Sequence, residues 1–153
     1  MVLAGGPMTL LSLDLRGTSI SDAGAAVLAR SLLPISGGGK AGAAGPGTIE
    51  DFVLAHNQVG DSGAAALAVM LRHNKVMNAL NLANNRIGDQ GASALAAALS
   101  TPNGTLEELY LEANPIGLAG ALALSKMLDV NKGLLEFSYY DLEPLVGCEK
   151  NQT

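Results

Sequence analysis

MNALNLANNRIGDQGASALAAAL, residues 77–99, changes its hydrophobic period halfway through. In its first part Met77, Leu80 and Leu82 stand at relative positions 1, 4 and 6. The last two are two residues apart, the spacing of one buried face of a short strand. In its second part Leu95 and Leu99 are four apart on an alanine-rich segment, which is helical spacing. Neither half buries its apolar side alone.

The same pattern recurs along the chain. LLSLDLRGTSISDAGAAVLARSL starts at Leu10, IEDFVLAHNQVGDSGAAALAVML at Ile49 and LEELYLEANPIGLAGALALSKML at Leu106. A fifth stretch, LLEFSYYDLEP from Leu134, keeps only the opening. The steps between starts are 39, 28, 29 and 28, the first being 28 plus an 11-residue insertion within PISGGGKAGAAGPGT. Stacking such units side by side buries every apolar face at once. The expected architecture is an α/β solenoid, a short right-handed arc with a parallel sheet inside and helices outside. Its boundaries are a leader over residues 1–9, four repeats over 10–133 with the Gly/Ala-rich insertion at 34–48, and a degenerate fifth repeat with a C-terminal cap over 134–153.

Composition agrees. Ala and Leu fill 50 of the 153 positions and aromatics only 3%, so the core must be built from small, regularly placed aliphatics. The formal charge of −5 argues against nucleic acid or anionic lipid as partner. No apolar run reaches the ~18 residues of a membrane span. MVLAGGPMTLLSLDL lacks the basic start of a secretion signal, and Cys148 has no second cysteine to pair with. A cytoplasmic protein is expected.

The units, LxxLxLxxNxIGDxGAxALAxAL in consensus, resemble the leucine-rich repeat of the ribonuclease-inhibitor type. Asn57, Asn85 and Asn114 fall on that family's Asn position, while Thr18 and Leu142 replace it in the first and fifth units. Each Asn is expected to satisfy backbone groups of the turn after its strand, with the amides of successive units stacked. Asp22, Asp61 and Asp89 are expected to be N-caps of their own helices. Leu118 takes that place in the fourth unit, so Leu118→Asp is expected to stabilise it. Glycines 24, 63, 91 and 120 keep the helix starts thin. Asn74, Asn103 and Asn131 form a second register, which orders the loop before each strand.

Little is left for catalysis. His56 and His73 have no second ligand at a metal spacing, and Cys148 has no base partner. GGGKAG lacks the Ser or Thr that follows the lysine of a phosphate loop. No enzyme activity, cofactor or metal is expected. The remaining candidate is the concave face, read from strand positions 3, 5 and 7. Its protein-binding residues are Asp14, Arg16, Asp51, Val53, Asn81, Glu108, Tyr110, Glu112, Glu136 and Tyr140, with both tyrosines exposed among acids. Such a face suits a protein partner with a basic segment.

The resemblance implies protein–protein interaction, because repeats of this type occur in ribonuclease inhibitors, NOD-like receptors, tropomodulins, Ran GTPase-activating proteins and ciliary axoneme components. The expected function is a non-enzymatic scaffold or adaptor, a small subunit of an intracellular assembly such as the cytoskeleton or the cilium. The alternative is a regulator of a small GTPase, which would need a displayed charged residue; Arg16 and Arg86 are the arginines near strand ends. Residues 1–9 are too few to cover the first strand, so another chain is expected to cover the N-terminal edge.

Overall fold

The computed structural model describes residues 10–33, 49–101 and 105–139. The insertion at 34–48, Asn103, Tyr140, Leu142 and the expected C-terminal cap lie outside them. Strands and helices alternate: β1 (Ser12–Asp14), α1 (Asp22–Ser31), β2 (Asp51–Val53), α2 (Asp61–His73), β3 (Ala79–Asn81), α3 (Asp89–Leu99), β4 (Glu108–Tyr110), α4 (Leu118–Val130) and β5 (Glu136–Ser138). The five strands form one parallel sheet in the order β1-β2-β3-β4-β5, and consecutive helices pack side by side.

Position 4 of every unit lies in one register across the sheet: Leu13, Phe52, Leu80, Leu109 and Phe137. Phe52, Leu80 and Leu109 are fully buried, as are Leu54, Leu82 and Leu111 at position 6. Each is worth about 1.5–3 kcal/mol of burial, far more than the weak strand propensity of leucine itself. The strands exist because the stack holds them. Leu67, Leu71, Leu95 and Leu99 bury the helical i,i+4 pairs against this ladder. At the C-terminal end Phe137 and Tyr139 replace leucines, and their rings stack with centroids 5.6 Å apart.

Two side-chain systems tie each unit to the next. Asn85 Nδ2 donates to Leu82 O and Ala83 O of its own strand exit, and to Leu54 O of the preceding unit. Its Oδ1 accepts from Val59 N–H in that preceding unit, 3.0 Å away. Asn57 and Asn114 repeat this geometry. The asparagines thus bridge backbones between units, each satisfying groups of its own turn and of the turn before it. In the first unit Thr18 Oγ1 donates to Leu15 O in place of an Asn. In the second register Asn74 Oδ1 accepts from Val76 and Met77, and Asn131 Oδ1 from Gly133 and Leu134.

The aspartates depart from expectation. Asp22, Asp61 and Asp89 are not the N-caps of their helices. The caps are Ser21, Gly60 and Gly88, none of which makes a side-chain capping bond, and each Asp is the first helical residue. From that position the carboxylate reaches sideways to the helix of the following unit. Asp22 Oδ1 accepts from Gly60 N–H (2.6 Å) and Gly63 N–H (2.9 Å). Asp61 Oδ1 accepts from Gly88 and Gly91, both at 2.7 Å, and Asp89 Oδ1 from Gly120 at 2.8 Å. These donors are among the amides that a helix start leaves orphaned, so each Asp caps its neighbour. The approach requires a bare N3 position: a Cβ on Gly91 would stand 2.7 Å from Asp61 Oδ1 and 2.8 Å from Ile87 Cγ2.

Candidate functional site

Backbone pairing continues beyond the short strands, through Leu15 N–H to Val53 O, Leu54 N–H to Asn81 O, Leu82 N–H to Tyr110 O and Leu111 N–H to Ser138 O. Alternation therefore sets positions 3, 5 and 7 opposite the buried ladder. Adjacent units line these positions up in rows: Ser12, Asp51, Ala79, Glu108, Glu136, and beside them Asp14, Val53, Asn81, Tyr110, Ser138.

The face divides into two ends and a middle. At the N-terminal end Asp14 and Arg16 are exposed and form an ion pair at 3.7 Å, with Asp51 exposed beside them. The middle is small: Val53, Ala79, Asn81 and Ala83 are half-buried and Ala55 is buried. Asn81 Oδ1 is occupied by the Ala83 amide.

The C-terminal end gathers Glu108, Tyr110, Glu112, Glu136 and Ser138. Glu108 and Glu136 are cross-strand neighbours in register, a like-charge pair that costs stability unless something mediates it. Tyr110 is the mediator. Its hydroxyl donates to Glu108 Oε2 at 3.2 Å and also lies in reach of Glu136. Desolvation, with hydrogen bonds to Glu136 and Glu108, holds the phenol well above its ordinary range, so the hydroxyl stays a donor. Tyr110 is half-buried, which corrects its expected exposure. Ser138 Oγ donates to Glu112 Oε1, while Glu112 Oε2 is buried without a partner among the described residues. Tyr140 lies outside the described residues. Ser138, position 5 of the fifth unit and thus on the face the alternation predicts, joins the site through its bond to Glu112.

Of the arginines weighed for a GTPase regulator, Arg16 is held in its ion pair and Arg86 is an exposed turn residue. Among the described residues no three His, Cys, Asp or Glu side chains are grouped to hold a metal ion. No helix among them is long and apolar enough to cross a membrane.

The repeat, its parallel sheet and its bridging asparagines define a class. A family model described as Leucine Rich repeat matches residues 6–29, 48–68, 73–96 and 103–125. The chain belongs to the leucine-rich repeat family. A search of curated proteins found no match. Among solved structures the fold is similar to "Leiomodin-1 Actin-Binding Site 2 (ABS2)", with a TM-score of 0.67 and 24% identity, over 91% of this chain and 73% of that one.

Proposed function

We propose that this protein is a non-enzymatic interaction module, a scaffold or adaptor that binds a protein partner through its concave face. The observation that carries the reading is the C-terminal end of that face. Glu108 and Glu136 flank Tyr110, and Glu112 bonded to Ser138 lies on the same face, so negative charge is concentrated where a basic segment can neutralise it. Tyr110 offers apolar area and a fixed hydroxyl, the qualities of an interface anchor. Asp14, Arg16, Asp51, Val53, Asn81 and Tyr140 complete the proposed surface, which spans the sheet. The similarity in fold to an actin-binding site of leiomodin-1 supports a cytoplasmic, cytoskeletal setting and makes actin the first partner to test. We also propose that a second chain covers the N-terminal edge, as in a small subunit of a larger assembly.

The test is a titration of the labelled 153-residue chain with actin and with a lysine-rich peptide, at rising salt. Binding is expected to weaken with salt, and about tenfold in Tyr110→Ala and in Glu108→Gln/Glu136→Gln. Affinity unchanged by salt and by both variants would remove the concave face from the interface.

A further inference from the structure

The outer side of α1 and α2 is chemically unlike the concave face. No acid follows Asp22 in α1 or Asp61 in α2, and the later ionisable side chains of the two helices are Arg30, Arg72 and His73. Between the helices lies a cavity of about 230 Å³, open to solvent and lined by Ala26, Ala29, Arg30, Leu33, Ala66 and Val69. Ala29 is buried at its floor, while Val69, 49% exposed, and Arg30 stand at its rim. The repeat puts Arg72 and Ala97 in the places of Leu33 and Val69 at the boundary of α2 and α3, and Ser100 and Lys126 at that of α3 and α4. Of these three boundaries the first alone has two large apolar walls. Its cations are not a demand of the fold. A helix end favours positive charge, yet α3 and α4 close with no basic residue in their last turns. Arg72 and His73, three and four residues after Val69, lie one turn further along α2. Neither they nor Arg30 has an ion pair among the described residues.

The cavity is below the ~300–1,000 Å³ of small-molecule sites and forms a valley along two parallel helices. Helix backbones offer no free edge for an added strand, so the element that fits is a third helix whose apolar side chains enter the valley. Beside them its residues meet Arg30, Arg72 and His73, which calls for carboxylates. A second copy laid face to face would bring none, since the same outer side of α1 and α2 lacks them. We propose that the valley between α1 and α2 is a second docking surface, occupied by an amphipathic helix of another protein. That helix carries apolar residues at i, i+3 or i+4, and i+7, with Glu or Asp alongside. The surface is separate from the concave face and opposite to it in charge, so the module holds two partners of contrary chemistry. It does not depend on the concave-face reading.

The probe is a helical peptide of about 18 residues with leucines at those spacings and glutamates elsewhere, set against the same peptide with lysines for glutamates. The 153-residue chain has a net charge of −5, so unspecific attraction favours the lysine version. The glutamate peptide is expected to shift the methyl resonances of Ala66 and Val69 saturably, and to bind there about tenfold or more tighter than the lysine peptide. Arg30→Glu/Arg72→Glu is expected to reverse that preference with helix content unchanged by circular dichroism. Tyr110→Ala is expected to leave it as it was. No shift at Ala66 and Val69, or a preference for the lysine peptide there, overturns the proposal. Glutamate-peptide binding that ignores Arg30→Glu/Arg72→Glu overturns the acidic partner. So does a free protein whose Ala66 and Val69 methyls are shielded from a soluble paramagnetic agent, because the valley is then already filled by the chain itself or by a second copy.

Discussion

Among the described residues, units two and three are enclosed on both sides, whereas unit one and the α4 end are enclosed on one. Val59 and Ile87 are fully buried, but their equivalents Ile20 and Ile116 are only partly so. Leu71 and Leu99 are buried, while Leu128, at the same repeat position, is 38% exposed. The residues match and the surroundings do not, so stability here belongs to the interfaces between units more than to the units. One position shows adaptation to the end: Met70, Ala98 and Met127 are buried, and α1 carries Ser31 there, exposed, its hydroxyl bonded to Val27 O.

If that contrast is sound, matched substitutions should separate inner units from ends. The largest effect is expected at Asn85→Ala, which orphans the buried Val59 amide and three carbonyl contacts, a loss of about 3 kcal/mol in urea unfolding. Thr18→Ala in the first unit should cost under about 1 kcal/mol. Next comes Gly91→Ala, where the added methyl collides with Asp61 and Ile87, at about 2 kcal/mol. Gly24→Ala, with one contact at 3.1 Å to its own turn, should stay within about 0.5 kcal/mol of wild type. Equal losses at the two glycines would refute the comparison.

Smaller again is Asp61→Ala, about 1.5 kcal/mol, because two amides of the following helix lose their acceptor. Leu118→Asp, once expected to gain a cap, now gains only the interaction of a charge with the start of its own helix, about 0.3–1 kcal/mol by thermal melting. The smallest change concerns the residue before each Asn and before Thr18, its counterpart in the first unit. Gly17, His56, Asn84 and Ala113 all have positive φ, between 51° and 68°. The first unit meets this with glycine, and Ala113→Gly is expected to stabilise the fourth by about 0.5 kcal/mol.

The solenoid was legible because its signal is redundant: four units repeat one change of period, and register follows from matching position 4. The bridging role of Asn57 was legible in kind, since a side-chain amide after a strand has few other uses. The aspartates were misread because capping rules run along the chain, whereas Asp22 finds its donors 38 and 41 residues away. A signal was present in the paired glycines of GDSG and GDQG. A helix whose cap and third residues are both glycine lacks its own capping side chain and leaves room for another. Tyr110 was misjudged for the same reason, since Glu136, on the adjacent strand, becomes its neighbour only through sheet register.

The two bridging systems run in opposite directions along the polypeptide. An aspartate serves the unit made after it, and an asparagine serves the unit made before it. On a ribosome each new helix would emerge to find its acceptor already in place, while each finished turn would wait for the next unit to close it. Truncation should therefore be asymmetric. Losing the first unit strips α2 of its cap, whereas losing the fourth leaves α3 capped by Asp61 and opens the Ile87 amide that Asn114 had closed. The chain is a series of joints, each fastened once from behind and once from ahead.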